Sequence, residues 1–126
     1  MRLFLYEGGN VFDNTDDVAK QDVATVVGIV KRDLPSALQK QVMADIGSAG
    51  HKAISGDIDL FLDQDATVQN FNVADEKQAK QALAKYFQAK GYAVAVKGRN
   101  VHVDVPYTAA ATGKQMFAQV DLMVIP

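Results

Sequence analysis

Asp57, Asp59 and Asp121 are the residues whose types and spacing best suit chemistry. Asp57 and Asp59 alternate with Ile58 and Leu60 in the run Ala53-Ile54-Ser55-Gly56-Asp57-Ile58-Asp59-Leu60-Phe61-Leu62-Asp63. Alternation of this kind is expected of a strand, with Asp57 and Asp59 pointing one way and the apolar residues the other. Carboxylates two apart on a strand stand about 7 Å apart along one face. At that spacing both can reach one divalent cation, and one can bridge to a second. Hard oxygen ligands working beside phosphates select Mg²⁺ or Mn²⁺ over zinc. A pair of such ions, about 3.5 to 4 Å apart, stabilises the attacking and the leaving oxygen in phosphoryl or nucleotidyl transfer. A third carboxylate is expected from a neighbouring strand. Asp121 is the candidate, the only charge inside Met116 to Ile125, because a charge so placed is costly unless metal or hydrogen bonds satisfy it.

The segment before the aspartate pair has its own logic. Gly47-Ser48 lets the main chain approach a ligand closely, so backbone N–H groups and the Ser48 hydroxyl can hold a triphosphate. Lys52 is near enough in sequence to add positive charge to the same oxygens. Two other patterns fail as sites. Asp13, Thr15 and Asp17 lack the glycine and closing glutamate of a calcium loop, and Gly113-Lys114 lacks the rest of a P-loop.

The elements that must position these residues follow from periodicity. Asn14 and Thr15, followed by Asp16 and Asp17, predict a helix start, and Lys31 and Arg32 its last turn. Val23, Val26, Val27 and Val30 form its apolar stripe. Pro35 predicts a short helix over 35–41 and Val42 to Ile46 a brief strand. Residues 63–74 are polar and expected to be irregular. Asp75 caps a third helix that carries Ala79, Ala82, Leu83, Tyr86 and Phe87 and ends before Gly91. Tyr92 to Lys97 and Asn100 to Val105, joined by Gly98-Arg99, predict a hairpin. Its alternation puts Val101, Val103 and Val105 on one face and Asn100, His102 and Asp104 on the other, the latter expected to be solvated. Three helices and about five strands imply a mixed α/β (α+β) fold, a mixed sheet with helices mainly on one face.

Composition bounds the class. The 126 residues, 48% hydrophobic and 22% charged, suit one ordinary globular domain over 1–126, with 1–41 a helical N-terminal part. The absence of cysteine excludes disulfides, thiolate catalysis and Cys-ligated metals. A formal net charge of −2 gives no overall field for nucleic acid or anionic lipid, although Lys77, Lys80 and Lys97 are candidates for a local patch. Without a signal-peptide core or a membrane span in the sequence, the expected location is cytoplasmic, with no membrane partner.

Gly47-Ser48, the Asp57-x-Asp59 strand, and Gln119-Val120-Asp121-Leu122 in a later strand together resemble the nucleotidyltransferase superfamily typified by DNA polymerase beta. The resemblance covers about residues 42–126. With Gly8-Gly9-Asn10-Val11-Phe12 and Gly47 to Lys52 it extends over nearly the whole chain to phage-encoded nucleotidyltransferases, which would imply a host-cytoplasm location. It implies a palm-like catalytic domain in which Asp57, Asp59 and Asp121 hold two Mg²⁺ or Mn²⁺ ions. It also implies that Asp121 helps activate an attacking hydroxyl, while Gly47 and Ser48, with Lys52 beside them, bind a nucleoside triphosphate.

The chain departs from the polymerase pattern in having His51 and Lys52 where arginines are usual, and Gln119 two before the third aspartate. Simple transfer of a nucleoside monophosphate to a hydroxyl, with release of pyrophosphate, is therefore favoured over templated synthesis. Ending at Pro126, the chain is expected to lack a separate thumb or acceptor-binding domain, and activity is expected to depend on a further region or a partner if it cannot proceed alone. A non-catalytic nucleotide- or partner-binding module and a metal-dependent phosphodiesterase are the alternatives. Which nucleotide, which acceptor (nucleic acid, protein or small molecule) and whether the chain forms an oligomer stay open at this level.

Overall fold

A computed structural model of the chain describes residues 11–40, 42–44 and 54–126. In chain order the elements are β1 (Val18–Ala19), α1 (Lys20–Asp33), α2 (Ser36–Gln39), β2 (Met43–Ala44), β3 (Ile54–Ser55), β4 (Asp57–Asp63), α3 (Gln64–Phe71), α4 (Glu76–Ala89), β5 (Ala93–Lys97), β6 (Asn100–Thr108) and β7 (Gln115–Ile125). Five strands form a mixed sheet in the order β2-β4-β7-β6-β5, and β1 pairs with β3 in a separate two-stranded ribbon. The mixed α/β architecture expected from the sequence is present.

Alternation along the strands decides which side of the sheet is the core. Ile58, Leu60 and Leu62 from β4, Val120, Leu122 and Val124 from β7, and Val101, Val103 and Val105 from β6 are all buried. Register places them together: Ile58 lies opposite Val120, which lies opposite Val103 and through it Val94. They share one cluster with Val26 and Val30 of α1 and Leu83 and Phe87 of α4. Removing this apolar area from water is the main force that holds helices to sheet.

The parallel β4–β7 pair is central to the site. Its register sets Asp59 opposite Asp121 and Asp57 opposite Gln119. Antiparallel pairing of β6 with β7 then sets His102 opposite Asp121 and Asp104 opposite Gln119. One transverse row of the sheet therefore reads Asp59, Asp121, His102, and the next reads Asp57, Gln119, Asp104.

Several sequence expectations shift. The helix expected to start at Asn14 or Thr15 begins at Lys20, after β1. Asp16 makes tertiary bonds instead: its N–H donates to the Phe117 carbonyl at 2.8 Å, and its carboxylate accepts the Phe117 N–H at 3.2 Å. Phe117 lies past the Asp57–Gln119 end of the β4 pairing, so the N-terminal segment joins β7 there. The expected single strand through Ala53–Asp63 is divided at Gly56 into β3 and β4. Residues expected to be irregular form α3, making four helices rather than three among the described residues. Asp63 caps α3 by accepting the Ala66 N–H at 2.9 Å, and Asn72 closes it in the left-handed region at φ 53°. The expected short helix after Pro35 is Ser36–Gln39, and the Asp75 cap on α4 is present, with Gln78 N–H donating to its carboxylate at 2.9 Å. Of the strand expected over Val42 to Ile46, Met43–Ala44 is seen, while Ala44's successors lie outside the described residues.

Candidate metal centre

The three aspartates singled out by spacing converge. Each of Asp57, Asp59 and Asp121 offers a carboxylate oxygen, and those oxygens lie within 4.8 Å of one another. Strand β4 supplies two of them from one face because its side chains alternate. The parallel neighbour β7 supplies the third from the same row. Asp57 and Asp59 are half-buried, whereas Asp121 is only 4% exposed.

Crowding of like charges has an electrostatic consequence. The Asp57 carboxyl is pushed up from 3.8 to about 6. Burial is the first cause, followed by a hydrogen bond with Asp121 that needs the Asp57 proton, then repulsion from Asp121 and Asp59; His102 pulls the other way. A bound cation would relieve this repulsion, and all-oxygen carboxylate donors suit Mg²⁺ or Mn²⁺. The donor set present therefore fits a divalent cation held by Asp57, Asp59 and Asp121.

Asp121 is held by partners of its own. Its Oδ1 lies 2.6 Å from His102 Nδ1 and accepts the Gln119 side-chain amide N–H at 3.0 Å. Gln119 Oε1 in turn accepts the Val11 N–H at 2.8 Å, which settles which way round the Gln119 amide stands. Both bonds fall on the same oxygen of Asp121. Such outer contacts fix a ligand's orientation and tune its basicity. The chain Val11, Gln119, Asp121, His102 thus ties the N-terminal segment to the site.

The face expected to be solvated is in fact buried. His102 is 5% exposed and Asp104 is 7% exposed, and Val11, Asp57 and Asp121 stand with His102 around one cavity. His102 is consequently part of the site. Strand alternation had already put it on the right face; the missing step was register. Joining β6 to β7 by the short turn after Thr108 sets Thr108 opposite Gln115, and counting back from there brings His102 to Asp121.

A cavity of about 430 Å³ opens beside these groups, lined by Val11, Asp57, His102, Asp121 and the turn residues Lys97 to Asn100. Of the lysines expected as a local patch, Lys80 and Lys97 both meet at the β5–β6 turn. Lys80 donates to the Gly98 carbonyl at 2.7 Å and pairs with Glu76 at 3.9 Å, so it clamps the β5–β6 turn. Lys97 does lie at the cavity. The triphosphate-binding candidates Gly47, Ser48 and Lys52 fall outside the described residues.

Among the described residues, no helix is long and apolar enough to cross a membrane. No protein-family model matches the chain, and no curated protein matches it.

Proposed function

We propose that this domain is a metal-dependent nucleotidyltransferase of the polymerase-beta type, moving a nucleoside monophosphate from a nucleoside triphosphate to a hydroxyl. One observation carries the reading: three carboxylates, two from one strand and one from its parallel neighbour, bring oxygens within 4.8 Å. Asp57, Asp59 and Asp121 would hold Mg²⁺ or Mn²⁺, two ions in the full form of the reading. Bound there, the ions supply charge neutralisation on the phosphates and a lowered pKa for the acceptor hydroxyl.

The chain's own residues do the rest. Asp57 and Asp59 fix the phosphate-facing side of the site from β4. Asp121 stands beside the incoming hydroxyl and takes its proton as the new oxygen–phosphorus bond forms at the α-phosphorus. The bond from that phosphorus to the bridging oxygen breaks, and pyrophosphate leaves with the electron pair. His102 and Gln119 keep Asp121 in one orientation throughout, by holding its Oδ1. Gly47, Ser48 and Lys52 are the residues we assign to the triphosphate.

The test is pyrophosphate release from a mixture of nucleoside triphosphates with Mg²⁺ or Mn²⁺, with candidate acceptors supplied. Turnover should vanish on chelation and in Asp57→Asn. Full activity in that variant would sink the assignment. Release of nucleoside monophosphate without a labelled acceptor product would instead point to a phosphodiesterase.

A further inference from the structure

The turn between β5 and β6 contributes two cations, an amide and a backbone clamp to the same cavity as the carboxylates, and the aspartate chemistry does not require any of them. Lys97, Gly98, Arg99 and Asn100 line the cavity together with Asp57, His102 and Asp121. Lys97 and Arg99 are both exposed at its mouth. A cavity lined by two cations and two carboxylates, with Asp59 beside them, does not suit a neutral or cationic ligand. It suits an anionic one that reaches the carboxylates only through a metal ion and takes positive charge directly from the cations.

The turn is held in place. Gly98 takes φ +59°, which fits the first central position of a two-residue turn between the paired Lys97 and Asn100. From α4, Lys80 donates to the Gly98 carbonyl at 2.7 Å with its side chain only 13% exposed. Ordering a long lysine side chain costs rotamer freedom, and a two-residue hairpin closes without such help. The clamp fixes where Lys97 and Arg99 stand relative to the aspartates. Asn100 adds a second sign of a missing ligand: its amide oxygen is buried and has no hydrogen-bond partner among the described residues. A buried amide oxygen in that state is costly unless something else meets it.

We propose that the Lys97–Asn100 turn is the phosphate-holding arm of this site, gripping a phosphate group of the substrate within the cavity that Asp57 and Asp121 also line. Lys97 and Arg99 take the phosphate oxygens, and Asn100 takes a neighbouring hydroxyl or amide N–H of the same ligand. The inference rests on the nucleotidyltransferase reading for its choice of substrate but not for its geometry. Two sources offer that phosphate: the polyphosphate tail of a nucleoside triphosphate, or the phosphodiester backbone of a nucleic-acid acceptor.

Two binding arms separate them. A fluorescent nucleoside triphosphate and a labelled single-stranded oligonucleotide are each titrated against the full chain by anisotropy, with Mn²⁺ and with chelator. The double variant Lys97→Glu/Arg99→Glu should weaken one of the two probes by about tenfold or more, as expected for loss of charge-assisted bonds. Loss for the triphosphate alone assigns the turn to the donor, and loss for the oligonucleotide alone to the acceptor. Lys31→Glu/Lys85→Glu, an equal charge change at exposed positions of α1 and α4, should leave both unchanged. Unaltered binding of both probes to the double variant overturns the proposal. So does absence of binding to the unaltered chain, or an equal loss in Lys31→Glu/Lys85→Glu. Thermal melting checks that the double variant folds, and the single variants Lys97→Gln and Arg99→Gln serve if it does not. Mn²⁺ binding, followed by electron paramagnetic resonance, keeps the two readings apart: it should survive in the turn variants and disappear in Asp59→Asn. Failure of Mn²⁺ to bind the unaltered chain would strike the metal reading and leave the turn's role to the probe titrations.

Discussion

The two faces of the sheet are built from alternate residues of the same strands, yet they solve opposite problems. On one face Ile58, Leu60, Val120, Leu122, Val101 and Val103 are buried against helices. On the other, Asp57, Asp59, Gln119, Asp121, His102 and Asp104 occupy the same strands one position along. Both faces are largely shielded from water, but only the first gains free energy from it. The second gathers carboxylates tightly enough to push Asp57 up to about 6, and holds Asp121 by hydrogen bonds instead of by packing. A sheet can tolerate such a face because the apolar one stabilises the whole. Stability should therefore be concentrated on one face and ligand chemistry on the other, and single substitutions can test that division.

The largest expected effect on folding lies on the apolar face. Leu122 is fully buried one residue from Asp121, and its replacement by alanine should cost about 2–5 kcal/mol through lost burial and a residual cavity. Chemical denaturation measures this directly. Below its lowered melting temperature the variant should still bind Mn²⁺ with near-native affinity, because Leu122 points away from the carboxylates. A parallel loss of metal affinity in fully folded protein would break the division between faces.

Gln119 probes the connection between the N-terminal segment and the site, and a smaller effect is expected. It is fully buried and joins the Val11 N–H to Asp121. Gln119→Ala leaves a buried N–H without its acceptor and should cost about 1–3 kcal/mol. It also frees Asp121 to rotate, so Mn²⁺ should bind more weakly than to the unaltered chain, a change that Leu122→Ala lacks. Gln119→Glu distinguishes the two roles. It keeps an acceptor for Val11 but puts a fourth carboxylate beside Asp121 in place of a donor, so it should restore the segment and not the geometry of Asp121.

How much of this was legible in the sequence depended on whether the signal was local. Alternation in β4, β6 and β7 needs only neighbouring residues, and it placed Asp57, Asp59 and His102 on their faces. The Asp75 cap and the Gly98-Arg99 turn were likewise local and are present. Where local chemistry had a tertiary competitor, the expectation failed. Asp16 has the type and position of a helix-start residue, but pairing with Phe117 of β7 satisfies its backbone and side chain together. Helix α3 was illegible for another reason. Its segment Gln64–Phe71 buries Thr67 and shows no apolar stripe, so its evidence is two end signals, Asp63 and Asn72. The burial of His102 needed the register between β6 and β7, which no single strand contains. Asp121 was singled out by the cost of a lone charge in an apolar strand and by the family resemblance, and the parallel register is what brings it to the Asp57-Asp59 pair.

The smallest effect, and the one of opposite sign, is expected at Asp57. Its folded pKa of about 6 lies above the ordinary 3.8, so the folded chain without metal binds the Asp57 proton more tightly than the unfolded chain does. Stability from this group is fully present below the unfolded value and is lost as pH rises through the folded one. Asp57→Asn replaces the carboxyl with a neutral group of the same shape and removes that loss. Metal-free Asp57→Asn should therefore melt higher than the unaltered chain at about pH 7.5, and the gap should close as pH falls toward about 4, where both side chains are neutral in the folded state. With Mn²⁺ present the order should reverse at neutral pH, since only the unaltered chain gains stability from binding the ion. Melting curves at several pH values, with and without Mn²⁺, measure both changes. A variant less stable than the unaltered chain in metal-free buffer at neutral pH would mean that Asp57 holds the fold together through its charge, and the polar face would then contribute to stability as the apolar one does.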